Sequence, residues 1–219
     1  MPFTPETEPG DADGAGTPFL RWHFEAWTLS PGMNVQAWHP DSRAQVDWHA
    51  LGAPSLGLAR DNYLATLPQD NTPAPDLPTF WIERRLRPVI ARLGDHALVA
   101  RLGGQLDQLA GRPERFGPPE PVARLHGDLW WGNVGVCDGA PVVFDPAVYG
   151  GHREIDLAML ALFGGLGDSL IGAYEEVRPL ASEWRARIRL WQLYPLAVHA
   201  VLFGGGYVRQ LASGLDAVT

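Results

Sequence analysis

The stretch "RLHGDLWWGNVGVCDGAPVVFDPAVYGGHREIDLA", Arg124 to Ala158, sets acidic residues, an Asn and two histidines among apolar residues and glycines. It reads as buried, and a carboxylate is kept in such surroundings only when it is hydrogen-bonded, ion-paired or bound to a metal. Any fold the chain adopts must therefore enclose a polar site built from this stretch. Within it, "NVGVC" and "PVVF" flank "DGA", which predicts a β-hairpin turning near Asp138-Gly139. A tight hairpin brings its two ends together, so Asn133 on entry and Asp145 on exit share one mouth. Asp128 precedes Asn133 on the same approach.

The rest of the chain is organised around that site. Met1 to Pro18 is rich in Pro, Gly, Asp and Glu with almost nothing to bury and is expected to be a disordered tail. Phe19 to Ala50 holds Trp22, Trp27, Trp38 and Trp48 without a period of two or 3.6. Leu51 to Pro78 reads as a long loop. Helical spacing then begins: 79–94 with a kink expected at Pro88, and 95–111 with Asp95 as N-cap. After the hairpin, helices are expected over 153–162, 168–177, 182–202, the last apolar nearly all round and bent at Pro195, and 207–215. The fold class is α+β, mostly helical, with one hairpin at the site.

Composition narrows the function. A net charge of -8 repels phosphate backbones and anionic lipid heads, so nucleic acid and membrane are not expected partners. Cys137 is the single cysteine, which excludes an internal disulfide and fits a reducing, cytoplasmic setting. No apolar run reaches the length of a membrane span, and the first residues lack the pattern of a signal peptide.

An Asn amide oxygen and a carboxylate at one mouth are hard ligands of the kind Mg²⁺ takes while phosphates and waters complete its shell. Asp128 is then placed to accept a proton from a hydroxyl nucleophile. Singly, Asp128 and Asp145 fit turns and Asn133 a hairpin flank. In this order, with a hairpin between, they form the layout of phosphoryl transfer in kinases. His126 is expected to orient the loop by hydrogen bonding. Asp156, in the following helix, is expected to brace it by accepting backbone N–H groups. Trp130, beside the base, either stacks on a sugar face or anchors the core.

"HGDLWWGN", "VVFDPAVYGGHREIDLAM" and "LFGGGY", with "RDNYLATLPQDN" and "WIERRLRP" before them, resemble the fructosamine kinase (ketosamine-3-kinase) family of the protein-kinase-like and aminoglycoside-phosphotransferase-like superfamily. The resemblance runs from about Leu56 to Tyr207. It implies a protein-kinase-like, mostly helical C-terminal lobe over 51–219, with ATP and Mg²⁺ as cofactors. It makes Asp128 the base and Asn133 and Asp145 the metal and nucleotide ligands, with Trp130, His152 and Arg153 on the substrate side. The implied reaction is phosphorylation of the sugar 3-hydroxyl of a small-molecule or protein-bound ketosamine, which frees the amine. The chain departs from the family at Trp131, where a small or polar residue is usual, and at Gly150, where an aromatic is usual.

A kinase also needs an N-terminal lobe with a Gly-rich loop and a Lys on the phosphates. That takes roughly 60 to 70 residues, and Phe19 to Ala50 supplies 32. All 17 basic residues are Arg, and a planar guanidinium does not replace a compact ammonium in place. The N-terminal lobe is therefore expected to be missing or rudimentary and nucleotide binding weak. A non-catalytic module binding amino sugars is the alternative; an aminoglycoside- or choline-type kinase is a further one, which "FDPAVYGGHRE" argues against.

Overall fold

The computed structural model describes residues 48–137 and 140–219. The tail over 1–18, the 19–50 segment as far as residue 47, and the turn at Asp138-Gly139 lie outside the described residues. Helix forms where the apolar spacing calls for it. Asp76 caps the first helical rod by accepting the Thr79 N–H at 2.8 Å. This rod, α1, runs through Leu77–Thr79, Phe80–Leu86 and Arg87–Ile90, and its middle turns are π-wound. Where a kink was expected at Pro88, the helix changes from π to α winding just before it. Pro88 has no N–H to offer the Arg84 carbonyl, which receives Arg85 Nη1 at 3.4 Å instead. Helix α2 (His96–Ala110) starts at Asp95, whose side chain accepts the Leu98 N–H at 3.0 Å.

Four more helices follow the hairpin: α3 (Glu154–Leu162), α4 (Asp168–Val177), α5 (Trp184–Phe203) and α6 (Gly206–Val218). Helix α5 is central, with Pro195 inside it. It is buried nearly all round from Leu190 to Ala200, while Arg185, Ala186 and Arg189 face outward on its first turns and Phe203 at its end. Its apolar side packs with Phe80, Trp81, Leu102 and Leu106 in one core, where the Trp81 and Trp191 rings meet edge to face at 5.2 Å. Among the described residues no helix is long and apolar enough to cross a membrane.

One hairpin was expected and three two-stranded antiparallel sheets are found among the described residues. Strands β1 (Asn62–Leu64) and β2 (Leu67–Gln69) make a hairpin inside the segment read as a loop. Strand β3 (Ala123–Leu125) pairs with β6 (Tyr149–Gly151), and β4 (Val134–Cys137) with β5 (Ala140–Val143). The first hairpin turns at Ala65 with φ 51°, so no Gly or Asn marks it. It is tied to the site by Asn62 Nδ2, which donates to the Val148 carbonyl at 2.9 Å, and by Gln69 Nε2, which donates to the Ala147 carbonyl at 3.2 Å.

Beneath this hairpin Arg85 is fully buried. Its guanidinium donates to the Asp70 carbonyl and, at 2.7 Å, to Asn71 Oδ1. It also lies over the rings of Tyr149 and Phe80, 4.1 and 4.4 Å from their centroids.

Candidate active site

Strand β3 delivers His126, Gly127 and Asp128, and β6 lies beside it. Gly127 sits at φ +81° with the Ala147 carbonyl 2.2 Å from where a Cβ would be, so only Gly lets the two segments meet there. Asp156, on the first turn of α3, holds the loop. Its Oδ2 accepts the His126 N–H at 2.8 Å and its Oδ1 the Gly127 N–H at 2.9 Å. His49 Nε2 lies 3.1 Å from Oδ2, while its Nδ1 meets the Tyr174 hydroxyl at 2.8 Å. Burial opposes ionisation of Asp156, but the hydrogen bond and charge of the His49 ring, with His126 and the Gly127 N–H, outweigh it and hold the carboxyl below its ordinary value.

His126 ties this loop to the hairpin. Its Nε2 lies 3.1 Å from the Phe144 carbonyl and its Nδ1 3.3 Å from the Asp128 N–H. An acceptor on one side and a donor on the other place the proton on Nε2.

The hairpin does bring its ends together: the Phe144 N–H donates to the Asn133 carbonyl at 3.1 Å, one residue before Asp145. Asn133 Nδ2 reaches the Asp128 carbonyl at 2.8 Å, the Asp128 carboxylate at 3.1 Å and the Asp145 carbonyl at 3.5 Å. With Nδ2 directed at these acceptors, Oδ1 is the hard oxygen that Asn133 can offer a cation. Asp145 follows at φ 54° with its side chain at the surface. Among the described residues no three His, Cys, Asp or Glu side chains cluster as a metal site. An Asn oxygen and a carboxylate are the kind of ligands by which Mg²⁺, commonly held by few protein oxygens, could be taken up here.

Asp128 behaves differently from Asp156. Burial, and then the charges of Asp145 and Asp156, push its carboxyl up to about 6 against the pull of Asn133. It lines a cavity of about 190 Å³ with Trp130, Met159, Phe163, His199 and Phe203 among its walls. Trp130 is 38% exposed and tilts against Phe163 at 5.4 Å, a wall of this cavity rather than a core anchor. His199 Nδ1 lies 2.7 Å from the Pro195 carbonyl, which makes Nδ1 the protonated nitrogen and Nε2 an acceptor. Phe163, His199 and Phe203 were not singled out from the sequence. Phe163 caps the end of α3 and the other two lie on α5, and only the place of Phe203 in "LFGGGY", with His199 one turn before it, hints at them.

His152 and Arg153, expected on the substrate side, do not line this cavity. Both are buried. Arg153 is engaged by Glu120 at 2.6 and 2.9 Å and by the carbonyls of Arg178 and Pro179. Next to it, Glu154 receives Arg187 at 2.7 and 2.9 Å and Trp191 Nε1 at 2.9 Å. The "HRE" run thus pins the start of α3, and with it Asp156, to the surrounding scaffold.

The two departures also have local reasons. Trp131 lies over Gly165, where a Cβ would come within 2.4 Å of its Nε1. Gly150 exchanges two backbone hydrogen bonds with Gly57, at 2.7 and 2.9 Å, and a Cβ on it would lie 2.1 Å from the Ser55 carbonyl. Gly150→Ala must push that segment away and is expected to cost about 1–3 kcal/mol, read as a fall in the denaturant midpoint. An unchanged midpoint would mean that the 51–57 segment yields freely.

The comparisons agree with the geometry. The sequence pattern of the fructosamine kinase family matches residues 41–219. A probable ketoamine kinase of Enterococcus faecium is 38% identical over 86% of this chain and 69% of its own length. One from Vibrio vulnificus is 32% identical over 74% of this chain and 56% of its own. A crystal structure named for a fructosamine-3-kinase from Thermobifida fusca superposes with a TM-score of 0.74 at 44% identity, covering 85% of this chain and 66% of that one. The chain thus spans between about half and two thirds of the length of these relatives. With the pattern matched across most of the chain and Asp128, Asn133 and Asp145 gathered at one mouth, the chain belongs to the fructosamine kinase family, a family of phosphotransferases.

Proposed function

We propose that the described residues form the catalytic lobe of a protein-kinase-like fold that uses ATP and Mg²⁺ to phosphorylate the 3-hydroxyl of a ketosamine, free or protein-bound. The observation that carries this reading is Asp128: a carboxylate raised to about 6, hydrogen-bonded to Asn133 and facing a cavity walled by aromatic rings. A base of that strength is matched to accepting a hydroxyl proton near neutral pH. The sugar hydroxyl gives its proton to Asp128 as its oxygen bonds to the γ-phosphorus and the bond to ADP breaks. Bound Mg²⁺ would supply charge neutralisation on the phosphates, and Asn133 Oδ1 and the Asp145 carboxylate are the atoms that would hold it. Asn133 meanwhile keeps the Asp128 carboxylate turned toward the cavity. Trp130 offers a ring to a sugar face, and His199 Nε2 a second acceptor for a neighbouring hydroxyl.

A second reading is a module that binds the amino sugar without turnover. Phosphorus NMR of the protein with millimolar ATP, Mg²⁺ and a synthetic fructosyl-amine separates the two. The kinase reading expects a sugar-phosphate signal that chelation abolishes. Folded protein that binds the fructosyl-amine yet forms no product would overturn it in favour of the module.

A further inference from the structure

The Pro-rich connector before β3 borders a second cavity, of about 590 Å³, that shares no lining residue with the one at Asp128. Leu56, Leu77, Phe116 and Val122 give it apolar walls, and His152 and Glu120 are among the polar groups on it. The His152 imidazole is 4% exposed and lies flat on Trp191, with ring centroids 5.2 Å apart and 15° between planes. Its Nδ1 accepts the Glu154 N–H at 3.3 Å, which puts the proton on Nε2. Burial first, then Arg153 and Arg187, outweigh Glu154 and Glu120 and keep the ring neutral by lowering its pKa. Nε2 is buried and has no hydrogen-bond partner. The nearest carboxylate oxygen, Glu120 Oε2, stands 4.0 Å away and already receives Arg153 Nε at 2.6 Å.

A buried donor left unmade is costly, and a stacked ring cannot simply swing to find an acceptor. One oxygen could sit at hydrogen-bonding distance from both His152 Nε2 and Glu120 Oε2, accepting from the first and donating to the second. We propose that this cavity is a binding site for a neutral, mainly apolar small molecule carrying a hydroxyl group, with that oxygen between His152 and Glu120. The walls select the charge. Asp76 and Glu120 disfavour an anion, and the Arg153 that could receive one is spent on Glu120. A cation would set donors against the Nε2 proton. The volume lies in the range of sites for small organic ligands.

Phenol and toluene are the probes, one ring with the hydroxyl and one without, titrated in the absence of ATP and Mg²⁺ so that the outcome is independent of phosphoryl transfer. Saturation-transfer NMR should show saturable phenol binding. His152→Phe, which keeps a ring on Trp191 and deletes the donor, should weaken phenol about tenfold and leave toluene unchanged. In the wild-type protein the His152 Nε2–H correlation should move with phenol on the same curve, a measurement that needs no variant. The proposal is overturned if phenol does not saturate, if phenol and toluene bind alike, or if the His152 signal stays still.

Discussion

Asp128→Asn is expected to lower turnover by about 10²-fold or more while making the folded protein more stable. The amide keeps the shape of the side chain and can still accept the Asn133 Nδ2 bond seen at 3.1 Å, but it cannot take a proton. The gain in stability has the same origin as the catalysis. The carboxyl sits at about 6 against its ordinary 3.8, so folding penalises the ionised form. Two units at ~1.36 kcal/mol each set an upper bound near 3 kcal/mol, and a partly open cleft brings the expectation to about 1–3 kcal/mol. A raised pKa means that Asp128 stabilises the fold fully below about pH 4, where it is protonated in both states, and that this contribution is lost as pH rises through about 6. Denaturant titrations in metal-free buffer should therefore separate the variant from wild type at pH 7 and bring them together near pH 4. Turnover within a few-fold of wild type would remove Asp128 from the role of base. Equal stability at pH 7 would remove the strain.

Asp156→Ala is expected to cost about 3–5 kcal/mol, a large part of the stability of a typical domain. The substitution strands the His126 and Gly127 N–H groups and takes the acceptor from His49, all inside the protein. Asp156→Asn, which retains one oxygen, should cost less. A loss below about 1 kcal/mol for the Ala variant in urea denaturation followed by circular dichroism would show that water replaces the carboxylate. Asp128 and Asp156 are thus opposed in purpose. One is a carboxylate whose charge the fold resists, the other a carboxylate whose charge the fold is built around.

The parts legible in the sequence are those fixed by neighbours. Asp95 and Gly111 bracket α2 because caps act within one turn, and the meeting of Asn133 with Asp145 follows from hairpin geometry alone. What escaped reading was set by distance along the chain or by elements too short to show a period. Three-residue strands such as β3 and β6 have no alternation to detect, and the Ala65 turn lacks the residue that usually announces one. His49 reaches Asp156 across 107 positions, with no local trace. "GGHRE" was conspicuous for its charges, but charge alone does not distinguish a ligand from a strut. The buried ion-pair partners of Arg153 and Glu154, Glu120 and Arg187, lie outside the motif.

The buried Arg85 bears on how the molecule breathes. Its guanidinium is sheltered by Tyr149 and Phe80 and supplied with acceptors by Asp70 and Asn71, just past the β1–β2 hairpin. Were that hairpin to lift away and take Asp70 and Asn71 with it, the guanidinium would lose both of those acceptors and keep only the Arg84 carbonyl at 3.4 Å. Local opening of the hairpin therefore carries the cost of unmaking a buried charged hydrogen-bond set. A small ribbon of two three-residue strands, the kind of element that ordinarily frays first, is thereby tied to the core that Leu64 and Leu67 already join.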